Sequence, residues 1–326
     1  MKPDIKGLHH DHIDGSSAVL DVLDDLHRIS GKTCAFASAD ELRAFFRNTH
    51  QGIVAKFAAV TSLMQNRESL SLAGYAYGRR RAQEGYRYAE AKFAPQYHLG
   101  GGLDLGGAVR AMCDGLWKAQ EEFGIRILPM ICIGREADPD TGVEIAKVVL
   151  GYDGAVALDL ACDESEHPPE KHLPAYRLTF GSNVRRDCHA GEWVSKLPAE
   201  TYRERLLKNI RTAVVDLRCD GIGHAIPLCD DAELISRIVG EGVRVAGCPL
   251  SNVACNCIGD VAELRIGELL DKGVIYTLNP DDDLFLPTLP EVLEACDRAY
   301  AFTPEQCRKL EENVWRGAFA ADVRTV

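Results

Sequence analysis

Short, almost continuously apolar runs alternate with longer stretches of helical period along this chain. The runs predict eight strands: Lys6 to Leu8, Tyr86 to Phe93, Arg126 to Cys132, Ala155 to Leu160, Val184 to Cys188, Gly221 to Gly223, Val243 to Gly247 and Val274 to Leu278. Runs with little polar alternation suit parallel strands covered on both faces. Between Glu200 and Leu217, apolar Leu206, Leu207, Ile210, Ala213, Val214 and Leu217 recur at spacings of three and four, which puts them on one helix face. Leu234, Ile235, Ile238 and Val239 do the same between Asp231 and Glu241, with Gly242 placed to cap the end. A third helical stretch, 262–272, stops at Gly273. Strand then helix, repeated, means βαβ units and a parallel sheet. Eight repeats predict an α/β fold, a (β/α)8 TIM barrel with additional helices; an open doubly wound sheet is the alternative. No linker, low-complexity tract or internal repeat interrupts residues 1–326, which read as a single barrel domain.

Composition narrows the partners. Lys and Arg number 37 against 49 Asp and Glu, a net charge of −12, and polyanion binding needs the opposite sign. A nucleic acid or an anionic membrane is therefore not expected as a partner. The N-terminal MKPDIKGLHHDH has no apolar stretch of the signal-peptide kind, and no run approaches the 18 apolar residues of a membrane span. A cytoplasmic location follows as the expectation, and the 12 cysteines then read as reduced and mostly buried. The sequence implies no oligomeric state. Nucleotide loops are absent: Gly100 to Gly107 (GGGLDLGG) reads as a surface loop, and Gly31-Lys32-Thr33 lacks the earlier glycine of a P-loop.

Chemistry-bearing residues follow the expected strands, where barrel enzymes keep their active sites. The first strand runs into His9-His10-Asp11-His12-Ile13-Asp14-Gly15. His10 and His12, two apart on an extended segment, point to one side and can reach one ion; a solvated polar segment is the plainer reading. Cys188-His189-Ala190-Gly191-Glu192 supplies a ligand and a proton carrier in one turn, or merely an acid in the first turn of a helix. Gly223-His224-Ala225 and Asn279-Pro280-Asp281-Asp282-Asp283 end later strands; a lone His is more often a core residue, and three acids usually make a solvated turn. Together these segments offer three or four N/O ligands at one end of a barrel. That describes a catalytic divalent-metal site, with Zn²⁺ the default, and metal-assisted hydrolysis at an electrophilic carbon.

The order and wording of these segments resemble the adenosine deaminase family over nearly the whole chain. His10 to Gly15 matches its H-x-H-x-D-G, His189 to Glu192 its H-A-G-E, Gly223 to Ala225 its G-H-G with the last Gly changed. Cys248-Pro249-Leu250-Ser251-Asn252 matches C-P-x-S-N, and Asn279 to Asp283 matches N-T-D-D-P with two changes. The resemblance implies one Zn²⁺ per chain on His10, His12, His189 and Asp281. It implies Glu192 as the acid for purine N1, His224 as base or electrostatic partner of the attacking water, and Asp282 as the group orienting that water. The reaction implied is conversion of a 6-aminopurine to its 6-oxo product and ammonia. Two neighbouring site types are disfavoured: no Lys follows the fourth strand at Asp159 to Glu164 to bridge two metals, and the H-x-E with P-C-x-x-C of cytidine deaminases is missing.

In that family an Asp after the first motif reads a ribose hydroxyl, whereas adenine-specific members carry Glu, so Asp14 favours an adenosine-like nucleoside. Leu250 to Val253 instead resembles the adenine-specific group, and His167 to Glu170 occurs in both. Cys162 stands where the family places a Gly whose N–H meets purine N3. Ala225, Pro280 and Asp283 add bulk or charge near the pocket, which opens modified aminopurines as substrates. Deamination of an adenine or modified base, another mononuclear metal-dependent hydrolysis, and a catalytically dead purine-binding barrel are the alternatives. A structural metal on Cys248, Cys255 and Cys257 has only three ligands in irregular spacing.

Overall fold

The computed structural model describes residues 2–32, 40–41, 44–45, 53–154, 156–193 and 199–323, with the side chains of 53–56 and 199–200 left aside. Strand β1 (Gly7–His12) leads through a short 3-10 turn into α1 (Leu23–Ser30), α2 (Ile53–Thr61) and α3 (Arg67–Gln83). Then come β2 (Tyr88–Phe93), α4 (Leu105–Phe123), β3 (Arg126–Gly134), α5 (Pro139–Gly151), β4 (Ala157–Ala161) and α6 (Leu173–Leu178). Next are β5 (Arg185–Arg186), β6 (His189–Ala190), α7 (Ala199–Val215), β7 (Gly221–His224), α8 (Ala232–Glu241) and β8 (Arg244–Gly247). The chain finishes with α9 (Pro249–Ala254), α10 (Ile266–Asp271), β9 (Ile275–Leu278), α11 (Leu289–Tyr300) and α12 (Pro304–Arg316).

All paired strands run parallel, β1 to β5 in one arc and β6 to β9 in another. Hydrogen bonds at two seams join the arcs into a ring. At one seam the predicted fifth strand, Val184 to Cys188, contains β5 and runs on past its predicted end into β6: the Asp187 N–H donates to Leu158 O at 2.8 Å, and the Gly223 N–H to Cys188 O at 2.9 Å. Between them the Asp187 carboxylate accepts from the Cys188 N–H at 2.9 Å, which interrupts the ladder. At the other seam Asp11 bridges Asp281, with the His12 N–H on Asp281 O at 3.1 Å. Asn279 Oδ1 accepts from the His9 and His10 N–H groups at 2.7 and 3.2 Å and so clamps the last strand to the first. The fold is the TIM barrel that eight strand–helix repeats predict.

Several local expectations are corrected. β1 extends through His12, four residues beyond the predicted Leu8, because its polar end pairs with β2 and Asp281 instead of facing solvent. The surface loop expected over Gly100 to Gly107 stops short of its predicted end. Leu105 onward is helix, since the Asp104 side chain caps α4 by accepting from the Gly107 N–H at 2.6 Å. The predicted helix 262–272 breaks at Arg265, whose φ of 52° separates a 3-10 turn from α10. α8 ends as expected in a left-handed Gly242 with φ 67°. Gly31 is likewise a left-handed helix cap. Thr33, and Ala155 at the expected start of the fourth strand, lie outside the described residues.

The barrel interior is ionic. Tyr88, Glu90 and Lys92 alternate along β2 and all are buried. Lys92 Nζ lies 3.0 Å from Asp159 and 3.3 Å from Asp187. Arg244 reaches Glu90 at 2.5 Å and Asp187 at 2.7 Å, and its guanidinium lies 4.1 Å from the Phe319 ring centroid. Charges at this depth persist only when paired. The apolar core lies mainly between this ring and the helices, as Leu206, Ile210, Ala213, Val214 and Leu217 of one face are all buried. Among the described residues no helix is long and apolar enough to cross a membrane, and most of the described cysteines are buried.

Candidate metal centre and proton-transfer site

Four strand ends build one constellation. His10 and His12 come from β1, His189 from β6, His224 from β7, and Asp281 from the segment after β9. His10, His12, His189 and Asp281 each offer one ligand atom, and these atoms lie within 4.8 Å of one another. His12 Nε2 and His189 Nε2 are 3.1 Å apart, and Asp281 Oδ1 lies 3.4 Å from His10 Nε2 and 3.5 Å from His12 Nε2. Neither ring nitrogen of His10 makes a hydrogen bond, although the side chain is fully buried. Burial lowers the pKa of His10, His12 and His189, His12 to about 4, so all three are neutral imidazoles at pH 7. Neutral imidazoles and a carboxylate are the ligand forms a divalent cation requires. These residues therefore fit a metal ion.

Supporting groups hold each ligand. The Asp159 carboxylate sits behind His189 Nδ1, with Oδ1 at 3.4 Å and Oδ2 at 3.1 Å, and Lys92 Nζ holds the same Oδ2 at 3.0 Å. A carboxylate behind a ligating His sets its tautomer and orientation. Ser251 donates to Asp281 Oδ2 at 2.6 Å, leaving Oδ1 to face the imidazoles. Asn252 Oδ1 lies 2.8 Å from His224 Nδ1, which directs His224 Nε2 to a point 3.5 Å from Glu192 Oε2. The C-P-x-S-N segment thus serves two site residues through α9. Glu164 is buried and holds the turn carrying Glu192: its carboxylate accepts from the N–H groups of Gly191 and Glu192 at 2.8 Å each and Trp193 at 3.2 Å. The Arg135 guanidinium donates to the carbonyl of His189 from behind.

Electrostatics separate the acids. Burial raises the Glu192 carboxyl above its ordinary value, and nearby Asp281 and Glu164 raise it further against the pull of His224. Burial opposes protonation of His224, but Glu192 and Asp281 outweigh it and raise its pKa. Asp282 is raised well above the carboxylate range by burial and then by Asp281, and its Oδ1 is buried without a hydrogen-bond partner. Asp14 is also buried, with Oδ1 unpartnered and Oδ2 3.6 Å from His98 Nε2.

The departures from the family's motifs look different in three dimensions. Cys162 has φ 77°, Ala225 φ 50°, and His224 and Asp281 have φ 63° and 72°. Positive φ is the glycine region, so Cys162 and Ala225 occupy backbone that the family's Gly fills without strain. Asp283 adds no charge to the pocket: Arg81 grips its two oxygens at 2.9 and 3.0 Å, and Ser17 donates to them through N–H and hydroxyl at 2.7 and 2.8 Å. The same Arg81 forks onto Asp11 at 2.7 and 2.9 Å. The barrel gathers the metal-ligand and proton-transfer residues named from sequence. Their partners Glu164, Asp159, Ser251, Asn252 and Arg81 have no role that sequence alone assigns. An acid placed two residues past Cys162 at a strand end was the available signal for Glu164.

A parallel barrel whose strand ends gather three neutral imidazoles, a carboxylate and a buried acid–imidazole pair belongs to the metal-dependent hydrolases. The chain belongs to the adenosine deaminase family, whose model, described as adenosine deaminase, matches residues 6–325. It is accordingly a hydrolase acting on carbon–nitrogen bonds of cyclic amidines. It is 26% identical over 327 residues to an adenine deaminase of Hahella chejuensis, covering 98% of this chain and 94% of that one. It is 27% identical to an adenosine deaminase of Mycolicibacterium vanbaalenii, covering 97% and 90%. Its fold matches the crystal structure of adenine deaminase from Arthrobacter aurescens with a TM-score of 0.83 and 26% identity, over 98% of this chain and 95% of that one.

Proposed function

We propose that the chain, acting as one barrel domain, is a zinc-dependent deaminase that converts a 6-aminopurine, in the first place an adenosine-like nucleoside, to the 6-oxo product and ammonia. The observation that carries this reading is the convergence of four ligand atoms within 4.8 Å beside the Glu192–His224 pair. Relatives named for adenine and for adenosine deamination support the aminopurine class.

His10, His12, His189 and Asp281 would hold the zinc. When bound, the ion supplies a Lewis acid that lowers the pKa of water to about 7. Glu192, whose carboxyl takes up a proton more readily because it is buried, donates to ring nitrogen N1 and draws electrons from C6. His224 Nε2 makes no hydrogen bond within the protein and takes the proton from the water attacking C6. Asp282 Oδ1, equally without a partner, orients that water. The proton taken by His224 passes to the 6-amino group, a poor leaving group until protonated, and collapse of the tetrahedral carbon then expels it as ammonia. Asp14, with a buried acceptor oxygen to spare, would receive a ribose hydroxyl, and the Cys162 N–H would meet the ring.

Ammonia release is the test, measured on adenosine, deoxyadenosine, adenine and substituted adenines with the metal content of the same sample. Turnover of a nucleoside above the free base supports the reading. Preference for the base would reassign Asp14, and a zinc-loaded protein inert on the whole panel would end the proposal.

A further inference from the structure

β1 ends at His12, and the chain passes through Ile13 to Asp14 at the rim that carries the metal-site residues. Gly15 follows, and a Cβ there would collide with the Asp282 carboxylate. Asp14 thus stands one residue from the point where Asp282 lies against the backbone. Burial, then Asp281, then Asp14 raise the Asp282 carboxyl, as the charge of a close neighbour does. Asp14 is buried and its Oδ1 has no hydrogen-bond partner. Its other oxygen, Oδ2, lies 3.6 Å from His98 Nε2.

His98 closes the 3-10 turn Pro95–His98 after β2 and is fully buried. Its Nδ1 lies 2.9 Å from the Met64 carbonyl oxygen. A carbonyl only accepts, so Nδ1 carries the hydrogen of that bond and Nε2 is the nitrogen left to face Asp14. The turn itself is clamped: the Gln65 amide donates to Tyr97 O at 2.8 Å and accepts from the Gly100 N–H at 2.7 Å. A ring fixed by backbone at one nitrogen has little freedom to swing the other away. Nε2 is nonetheless buried without a hydrogen-bond partner, and such an atom calls for a role.

We propose that His98 is the positioning residue of Asp14: it holds Oδ2, turns Oδ1 towards a sugar hydroxyl, and so decides between nucleoside and free base. This rests on the nucleoside reading above. At 3.6 Å the contact is longer than a hydrogen bond, and contacts of this kind tighten once substrate is bound. An acceptor built to meet a hydroxyl discriminates against the ligand lacking one, because its own buried oxygen is then left unpaired. His98 acts through Asp14, so its effect belongs to binding of the sugar.

The experiment is a double-mutant cycle of His98→Asn and Asp14→Ala, read as kcat and KM for adenosine and for adenine, with zinc content and Tm checked for each protein. Asn at position 98 keeps an amide N–H for Met64 but is too short to reach Asp14. His98→Gln sets an amide N–H where Nε2 stood. His98→Asn should lower the adenosine-to-adenine ratio of kcat/KM by roughly tenfold, through KM, and His98→Gln should restore most of it. The double variant should be no less selective than Asp14→Ala alone. Losses that multiply in the double variant, or an equal loss on both substrates, overturn the assignment. If Asp14→Ala lowers the ratio and His98→Asn does not, the His98 assignment fails by itself. If Asp14→Ala leaves the ratio unchanged, the ribose role of Asp14 fails and the His98 role with it. If neither substrate is turned over, the deaminase reading fails, and equilibrium binding of adenosine and adenine to the same proteins decides the His98 role by the same comparison.

Discussion

The barrel interior and the barrel rim treat buried polarity in opposite ways. Inside, Glu90, Arg244, Asp187, Lys92 and Asp159 form a column in which each charge faces an opposite charge within 3.3 Å. At the rim, His10, His224 Nε2, Asp282 Oδ1, Asp14 Oδ1 and the Gln96 amide are buried without hydrogen-bond partners, and Cys162, His224, Ala225 and Asp281 sit at positive φ. Each unpaired group costs about 1–3 kcal/mol and each strained residue a similar amount. Unpaired atoms occur in the interior too, at both ring nitrogens of His9 and at Arg244 Nε, but at the rim they gather around four atoms that could hold one ion, where a ligand would complete the structure. Asp159 belongs to both regions: Lys92 anchors it to the column and His189 ties it to the rim.

The sharpest test of this contrast is Glu192→Gln, which removes a proton and little else. Turnover should fall by about 10²- to 10⁴-fold with metal content unchanged, since that is what a positioned proton donor contributes. Near-normal deamination by the variant would show that the acid lies elsewhere. The wild-type pH profile carries the same information. The acid must be protonated to act, and burial raises the Glu192 pKa. Activity should therefore persist above the ordinary carboxylate range and decline as pH rises through the raised value. A decline already complete at the pKa of an unperturbed Glu would contradict this role.

Breaking the column should hurt stability instead. Arg244→Met leaves Glu90 and Asp187 facing each other through a neutral side chain, and removal of one partner from a buried pair costs about 3–5 kcal/mol. The expected result is a Tm lowered by several degrees with zinc affinity little changed. Zinc loss at full stability would reverse the division between the two regions. Asp159→Asn tests the joint. Outer partners of a ligating His are worth about 10- to 100-fold in metal affinity, which a zinc titration against a competing chelator would read.

How far the sequence reveals this molecule depends on the range of the interaction. The i, i+2 spacing of His10 and His12 announces a shared side of a strand, and the helical period between Glu200 and Leu217 announces α7, because both are local geometry. The interior column was hidden: Glu90 and Lys92 in the run YAEAKF find Arg244 and Asp187 across the barrel, far along the chain. Asp283 is the clearest case. Read locally it is a third acid beside a pocket, but its partner Arg81 lies 202 residues away and turns it into a brace between β1 and the end of the barrel. Likewise Glu164 could be read as one more acid after a strand, and only the fold shows its oxygens on the backbone of the Glu192 turn.

The smallest effect concerns the strained backbone of the rim. Cys162 and Ala225 hold φ of 77° and 50°, where a Cβ clashes and glycine does not. Neither side chain is among the proposed metal ligands, so strain and chemistry can be separated here. Ala225→Gly should stabilise the fold by up to about 1 kcal/mol, the relief of left-handed strain less the added chain entropy of glycine in the unfolded state. Cys162→Gly should do the same and also free the approach beside Tyr97. Urea unfolding reads the first quantity, and the relative kcat/KM for bulky and small aminopurines reads the second. If both substitutions destabilise, the two residues contribute packing that outweighs their strain. If Cys162→Gly changes stability but not the substrate ranking, the thiol is a passenger on the rim.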